Sequence, residues 1–350
     1  MKIESFGKTL EGQEVTCYTL KNRNGMTLKL MNLGATMVSL LVKDKDGVFR
    51  DVILGYDDPA QYQRQTCYFG AVIGRNANRI AGAACELDGQ VYYLEQNDNG
   101  NNLHSGKNGF HNVLWDAEAA EGKDNQITFT YLSRDMEQGF PGNMKAKVVY
   151  TLTDADEMLI DYSADTDKTT VANFTNHAYY NLGGHDAGSI EEHVLSIKAD
   201  YYTRVTSPKA IPAGTLAKVS DTPMDFTMSK KIGRDIGADF IQLKYAGGYD
   251  HNYVLDTKHG IMKLAAVAEC EKTGIAMDFY TDCMGIQFYS GNFIKRHPGK
   301  SGAFYDFRHG FCLEPQYYPN SVNDEKFASP ILHLGETYTA HTKVKFYQKK

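Results

Sequence analysis

The chain has 350 residues, of which 42% are hydrophobic and 23% are charged, and its formal net charge is −6 at pH 7. That charge argues against a dedicated binder of nucleic-acid backbones, because such proteins are usually basic. The sequence has no apolar run of about 18 residues, which a membrane-spanning helix requires. Its first residues also lack the apolar core of a secretory signal. We therefore expect a cytoplasmic protein, unless an N-terminal signal was removed from this chain.

Short alternating runs of apolar and polar residues dominate the chain. They occupy positions 126–133, 158–164, 195–201, 275–279 and 338–346. Period-two alternation with β-branched and aromatic residues is typical of strands that bury one face. Turn-forming pairs such as Gly183-Gly184 lie between the runs. The pattern predicts an all-β fold, a large antiparallel β-sandwich.

Helical patterns are few and short. Residues 58–62 predict one helix, with Pro59 at its first position, and residues 228–236 and 322–327 each have room for a turn or two. Because strands do not alternate with long helices, a parallel βαβ sheet is disfavoured. No internal repeat and no linker rich in Pro, Gly or Ser interrupts the chain, so we predict a single domain over residues 1–350.

Motifs for nucleotides, metals and disulfides are incomplete or missing. Gly299-Lys300-Ser301 resembles the end of a phosphate loop, but Ile294 stands where that loop needs its first glycine. The six cysteines are scattered without a Cys-x-x-Cys pair and are read as reduced residues. The histidines are far apart in sequence, without a His-Glu-x-x-His motif. We predict neither a cofactor nor a metal.

Three polar segments are candidates for binding. Arg75 and Arg79 follow an apolar run, where buried charge needs partners, although a salt-bridged surface turn explains Arg75 equally well. Residues 101–106 gather donors and acceptors near Trp115, as sugar sites do, but an ordinary asparagine-rich loop is at least as good an explanation. Asp250 follows a glycine pair, and it could simply cap its own turn.

Two residues are candidates for acid–base chemistry. His177 lies at the end of a predicted strand among asparagines and aromatic residues, and histidine titrates near neutral pH. A core histidine with satisfied hydrogen bonds is the alternative. Glu314 leaves an apolar strand and precedes a proline, which favours an extended backbone. Partial desolvation would raise its pKa towards that of a useful base, whereas a solvated surface glutamate would have no such role.

In their order and spacing, these segments resemble the galactose mutarotase (aldose 1-epimerase) family over nearly the whole chain. The resemblance extends over residues 33–35, 74–80, 102–106, 175–182, 248–252, 285–293 and 313–323. It implies a large β-sandwich in which Glu314 is the catalytic base and His177 the catalytic acid. It also implies that the sugar hydroxyls are held by Asn78, Arg79, His104, Asp250 and Gln287.

Two positions depart from the family pattern. Ser105 follows His104 where many members have a glycine pair, and Asn76 stands where an aromatic or aliphatic residue is frequent. Either departure could change substrate preference, and neither removes a proposed catalytic group.

The resemblance implies interconversion of the α and β anomers of free aldohexoses such as galactose and glucose by ring opening. We expect a small sugar as the partner, no nucleic acid, no membrane, and a monomer or homodimer. Three alternatives remain at this point. A glycoside hydrolase would have to pair Glu314 with Asp250. A sugar-binding module would lack catalysis, and an epimerase for phosphorylated sugars would need additional basic residues near the site.

Overall fold

The computed structural model of the chain describes residues 1–64, 66–119, 122–257 and 260–349. Within these ranges the chain forms mostly strands and two short α-helices, α1 (Pro59–Arg64) and α2 (Ile241–Ala246). Neither helix has the length and apolar character needed to cross a membrane. The described residues also form short 3₁₀ segments at Ala81–Ala83, Phe110–Asn112, Glu137–Gly139, Ile232–Arg234, Lys300–Gly302 and Ser321–Asn323.

The strands follow in chain order. The first ten are β1 (Lys2–Lys8), β2 (Glu14–Lys21), β3 (Thr27–Met31), β4 (Thr36–Lys43), β5 (Phe49–Asp51), β6 (Val72–Ile73), β7 (Arg79–Ile80), β8 (Ala84–Leu87), β9 (Gln90–Tyr93) and β10 (Asn102–Leu103). The next ten are β11 (Asp116–Ala119), β12 (Gln126–Ser133), β13 (Met144–Leu152), β14 (Glu157–Thr166), β15 (Thr170–Val171), β16 (Thr175–Asn176), β17 (Val194–Ile197), β18 (Tyr201–Val205), β19 (Pro212–Lys218) and β20 (Lys230–Lys231). The remaining strands are β21 (Asp250–Val254), β22 (Lys263–Cys270), β23 (Ile275–Thr281), β24 (Gly285–Tyr289), β25 (His297–Pro298), β26 (Phe304–Tyr305), β27 (Cys312–Gln316), β28 (Ile331–Leu332) and β29 (Thr337–Gln348).

Three large antiparallel sheets organise the described residues. The first has five strands in the order β1-β2-β3-β4-β5. The second has nine, in the order β11-β12-β13-β14-β29-β23-β22-β17-β20, and the third has five, in the order β19-β18-β21-β24-β27. One buried hydrophobic cluster contains residues from all three, among them Leu28, Phe129 and Phe288. The predicted all-β antiparallel sandwich is confirmed, whereas the division into domains stays a prediction.

The period-two patterns correspond closely to strands. The run at 126–133 coincides with β12, and those at 158–164, 275–279 and 338–346 lie within β14, β23 and β29. The prediction of one continuous run at 195–201 was wrong. Strand β17 ends at Ile197, and β18 begins at Tyr201, whose side chain is 38% exposed rather than buried. Apolar alternation alone does not show that the chain changes sheets between these two positions.

The helix predictions had mixed outcomes. Helix α1 begins at Pro59 as predicted. Residues 228–236 instead form β20 and a 3₁₀ turn, and in 322–327 the only helical residues belong to another 3₁₀ turn. The pattern did not reveal α2, which ends where Gly247 adopts a φ of 67° and donates its N–H to the carbonyl of Leu243. A glycine in this left-handed conformation is a common helix stop.

Arg75 is a buried anchor for the loop that precedes β7. Its side chain donates to the carbonyls of residues 133, 134, 141 and 142 at 2.8–3.1 Å and to the Ser133 hydroxyl at 2.9 Å. Burial lowers the pKa of Arg75 to about 10, against the opposing charge of Glu137. The surface-turn interpretation of Arg75 was therefore wrong, and this guanidinium fastens the loop to the turn that joins β12 and β13.

Candidate active site

A cavity of about 120 Å³ opens beside β27 and β24. All seven predicted site residues line it, although they come from segments far apart in sequence. The lining consists of Thr66, Tyr68, Asn78, Arg79, Leu103, His104, His177, Tyr179, Asp250, Gln287, Tyr289, Phe293 and Glu314.

Glu314 lies in the middle of β27, directly opposite Gln287 on β24. It is 2% exposed, and within the described residues its Oε2 atom has no hydrogen-bond partner. Burial raises its pKa well above the ordinary value, the charge of Asp250 adds to that effect, and Arg79 opposes it. The surface-glutamate alternative is thereby excluded, and this carboxyl group holds a proton more tightly than a solvated one.

His177 follows β16 and faces Glu314, with 3.6 Å between His177 Nε2 and Glu314 Oε2. Its ring stacks with those of Tyr68 and Tyr179, at centroid distances of 5.7 and 5.1 Å. Burial lowers the pKa of His177 to about 3. Both shifts favour the uncharged forms of the two side chains.

His104 lines the same pocket as Glu314 and His177. Strand β10 pairs with β7, and His104 follows β10 with a left-handed φ of 53°. The backbone N–H of Asn78 donates to His104 Nδ1 at 3.1 Å. Because Nδ1 accepts, a neutral His104 carries its proton on Nε2. Burial holds its pKa well below the ordinary value, so this imidazole is a neutral donor.

Arg79 and Asp250 bring opposite charges to the same pocket. The Arg79 side chain is 12% exposed, and its Nε donates to Asp98 Oδ2 at 2.7 Å. Burial by itself favours a lower pKa for Arg79. The negative charges of Asp250, Asp98 and Glu314 have the larger effect, so the pKa of Arg79 is raised overall. Burial likewise raises the pKa of Asp250, against the influence of Arg79 and of Gln287.

Gln287 is oriented by its neighbours in the third sheet. Its Nε2 donates to Asp250 Oδ1 at 2.6 Å, and its Oε1 accepts from Gln316 Nε2 at 3.2 Å. Gln316 Nε2 also lies 3.2 Å from Asn252 Oδ1. This chain of amides leaves Asp250 as an oriented acceptor at the pocket wall, a suitable partner for hydroxyl groups.

Several pocket residues were not predicted as site residues. Tyr68, Tyr179, Tyr289 and Phe293 provide aromatic surface around the polar groups. Tyr179 and Tyr289 lay within the segments that carried the resemblance, and their aromatic rings near polar side chains were the available signal. Trp115 does not line this cavity. It is buried and packs edge-on against Phe110 at a centroid distance of 5.3 Å.

The two departures from the family pattern contact each other. The backbone N–H of Asn76 donates to Ser105 Oγ at 2.7 Å, and neither residue lines the cavity. Asn76 lies two residues before Asn78 in one loop, and Ser105 directly follows His104 in the other. Their role is therefore to connect these two loops.

The side chains of His104, His177 and Glu314 form a group with ligand atoms within 4.8 Å of one another. Two histidines and one glutamate also occur in catalytic zinc sites. A metal-ligating histidine normally donates its other ring N–H to an acceptor. His104 Nδ1 instead accepts the N–H of Asn78, so its Nε2 carries a proton and is not free to ligate. The donor set therefore fits a metal poorly.

Known proteins resemble this chain over most of its length. A sequence model described as aldose 1-epimerase matches residues 16–345. The chain is 38% identical to a galactose mutarotase of Bos taurus, over 92% of this chain and 91% of the relative. It is 37% identical to an aldose 1-epimerase of Escherichia coli K12, over 96% of both chains.

Solved structures show the same similarity. A structure of an aldose epimerase homologue from C. elegans superposes with a TM-score of 0.88 at 27% identity, covering 95% of this chain and 99% of the other. A galactose 1-epimerase structure from Lactobacillus acidophilus gives a TM-score of 0.87 at 26% identity, with full coverage of both chains.

Proposed function

This chain belongs to the aldose 1-epimerase family and is a carbohydrate isomerase, and we propose that it interconverts the α and β anomers of free aldohexoses such as galactose and glucose. The family resemblance seen in the sequence is thereby confirmed. Beyond membership of the family, we propose the substrates and the acid–base mechanism.

The observation that carries the proposal is the buried pair of Glu314 and His177. The two side chains face each other at 3.6 Å inside a pocket lined by polar groups and aromatic rings. Glu314 Oε2 has no bonded partner among the described residues, so it is available to a substrate hydroxyl. General acid–base groups of this kind typically contribute about 10² to 10⁴ in rate.

The reaction needs one proton to leave the C1 hydroxyl while the ring oxygen gains one. With the shared proton on His177, Glu314 takes the C1 proton as His177 gives its own to the ring oxygen, and the C1–O5 bond breaks. The products are an open aldehyde, a protonated Glu314 and a neutral His177. Burial favours these uncharged side chains, which supports ring opening.

Ring closure uses the same groups in reverse. After rotation about the C1–C2 bond, Glu314 returns a proton to the C1 oxygen, and His177 accepts the proton of the C5 hydroxyl. The enzyme ends with the protonation state it began with. A cationic His177 does not persist by itself in so buried a position, so the two groups work as a single proton-carrying unit.

The remaining polar residues have the chemistry to hold the sugar. Arg79 and the Nε2–H of His104 are donors that would stabilise negative charge on the ring oxygen. Asp250, oriented by Gln287, would accept hydrogen bonds from hydroxyl groups, and Asn78 lines the same wall. Holding the sugar between the acid and the base adds the advantage of proximity.

The test is polarimetry of freshly dissolved α-galactose and α-glucose with wild type, Glu314→Gln and His177→Asn. We expect wild type to accelerate mutarotation and each variant to lose at least about 10²-fold of the enzymatic rate. Glu325→Gln, at an exposed position, is the matched control and should retain full activity. Absence of acceleration by wild type would contradict the proposal. Release of sugar from an aryl glycoside would favour a hydrolase, and binding alone a sugar-binding module.

A further inference from the structure

Four polar side chains form a row across the third sheet, on the same face as Glu314. Asp250 and Asn252 lie on β21, Gln287 lies on β24, and Gln316 lies on β27. Residues two apart in a strand point to the same face, and Gln287 is directly opposite both Asn252 and Glu314 in the register of these strands. The row therefore forms one layer of side chains, which begins in the pocket at Asp250 and ends at Gln316 outside it.

The hydrogen bonds of this row have a definite direction. An ionised carboxylate only accepts, so Gln287 must turn its Nε2 to Asp250, and its Oε1 then needs a donor. Gln316 Nε2 supplies that donor at 3.2 Å, and the same nitrogen donates to Asn252 Oδ1 at 3.2 Å. If the Gln316 amide were turned round, its oxygen would face two other oxygens. Gln316 is thereby fixed as a donor, and Gln287 cannot reverse without losing both of its bonds.

A glycine makes room for the last contact of the row. Gly285 on β24 is directly opposite Gln316. A Cβ atom at Gly285 would lie 2.4 Å from Asn252 Oδ1 and 2.9 Å from the Tyr318 ring, and both distances are too short for a real Cβ atom. A side chain at this position would therefore displace the Asn252 amide. The glycine lets Asn252 reach across β24 to Gln316.

The orientation leaves two polar atoms unpaired at the end of the row that does not line the pocket. Gln316 Oε1 and Asn252 Nδ2 are buried, and neither has a hydrogen-bond partner among the described residues. Buried polar groups are normally paired, and sequences depart from such rules mainly at functional sites. The bond to Asp250 is kept while the far end is left incomplete, which indicates that the direction of the amides serves the pocket.

We propose that Gln316 and Asn252 are positioning residues that act through Gln287 to hold Asp250 as the acceptor for one sugar hydroxyl group. The inference rests on the proposed function and adds to it a basis for specificity. A site that is built to bond one hydroxyl discriminates against the sugar that lacks it. Because neither Gln316 nor Asn252 lines the pocket, their effect on the sugar passes through Gln287 and Asp250.

The carboxyl ¹³C shift of Asp250, followed against pH, tests the arrangement in the protein without sugar. Burial raises the pKa of Asp250, the charge of Arg79 and the hydrogen bond from Gln287 oppose that effect, and the charge of Asp98 adds to it. We expect Gln316→Met, which removes the donor, to raise the pKa of Asp250 above the wild-type value. Gly285→Ala should raise it less, because it displaces only the far end of the row.

Calorimetric binding of galactose and of its monodeoxy derivatives tests the consequence for the sugar. We expect wild type to bind one deoxy sugar more weakly than galactose, because that sugar lacks the hydroxyl which Asp250 accepts. Gln316→Met should reduce this difference about two- to ten-fold, the range expected for one net hydrogen bond. The change should lie in the Kd of galactose, with a smaller change in the kcat of mutarotation.

Gln242→Met is the matched control, because Gln242 is a buried glutamine whose amide bonds the backbone of Val205 outside the pocket. It should leave the pKa of Asp250 and the sugar preference unchanged. An unchanged Asp250 pKa in Gln316→Met, or an unchanged preference for galactose over every deoxy sugar, would overturn the inference. If both change as expected but wild type does not accelerate mutarotation, the proposed function fails while the positioning role stands.

Discussion

The ion pair of Arg79 and Asp98 joins a pocket residue to one that does not line the pocket. The sequence resemblance singled out Arg79, but Asp98 follows it by 19 residues and belonged to none of the segments that carried the resemblance. Asp98 is bonded to Nε, and we propose that the terminal nitrogens of the guanidinium face the sugar. Removing the carboxylate charge would release the side chain from that orientation.

We predict that Asp98→Asn raises KM for galactose about ten-fold, with a smaller change in kcat. The reason is that a hydrogen bond between charged groups is worth about 1.5–3 kcal/mol, and about 1.4 kcal/mol corresponds to a factor of ten. Steady-state polarimetry measures both constants. Asp116→Asn is the control, since Asp116 is exposed on β11. Equal kinetics for wild type and Asp98→Asn would contradict this orienting role.

All seven residues nominated from the sequence line the pocket, and the resemblance assigned their roles. Composition and periodicity could not distinguish a catalytic His177 from a core histidine, or a catalytic Glu314 from a solvated surface glutamate. The reason is that burial is a property of the folded chain. The sequence also could not predict which residues contact or hydrogen-bond one another around the site. That Asn76 bonds Ser105, or that Cys312 contacts His177, depends on loops and strands that meet only in three dimensions.

The position of the loop before β7 depends on the side chain of Arg75. Arg75 is 2% exposed and satisfies backbone carbonyls of the turn between β12 and β13. A lysine has a single nitrogen and cannot replace the planar guanidinium at several acceptors. Buried carbonyls left without donors are costly, at about 1–3 kcal/mol for each group.

We predict that Arg75→Lys lowers the free energy of unfolding by about 3–5 kcal/mol, the loss expected when a buried charged network is broken. Urea denaturation at pH 7 measures it. Arg204→Lys, at an exposed position in β18, should change stability by less than about 0.5 kcal/mol. A similar midpoint for Arg75→Lys and wild type would show that the loop does not depend on this side chain.

Period-two alternation located β12, β14, β23 and β29, because one face of each is buried in the sandwich. It performed less well where the chain changes direction, as between β17 and β18. It could not reveal two-residue strands such as β6, β7 and β16, which are too short to show a period. Strand β7 carries Arg79 and β16 precedes His177, so these parts of the site depend on elements that the pattern did not show.

Among the described residues, burial lowers the pKa of seven histidines, five of them strongly. The pKa is lowered to about 4 for His111 and His193 and to about 3 for His177 and His251, and it is held well below the ordinary value for His104. Unfolding returns each of them to about 6.5. The unfolded chain therefore binds more protons than the folded chain between these values and pH 6.5.

We predict that the free energy of unfolding is greatest above pH 6.5 and falls as the pH decreases towards 4. Each fully shifted histidine contributes a slope of up to about 1.4 kcal/mol per pH unit in that window. Urea denaturation between pH 7.5 and 5 measures the fall. His333→Asn, at an exposed position, should leave the slope unchanged. Equal stability at pH 7.5 and pH 5 would contradict the presence of neutral buried histidines.

We propose that Glu314 and His177 act as one proton-carrying unit. The most direct test is the mutarotation rate of α-galactose with Glu314→Gln, His177→Asn and the double variant, each compared with wild type in the polarimeter. Groups that act as a unit are strongly non-additive, so we predict that the double variant is about as slow as the slower single variant. Losses that multiply, with the double variant slower by the product of the two single effects, would show that the residues act independently and would contradict the account.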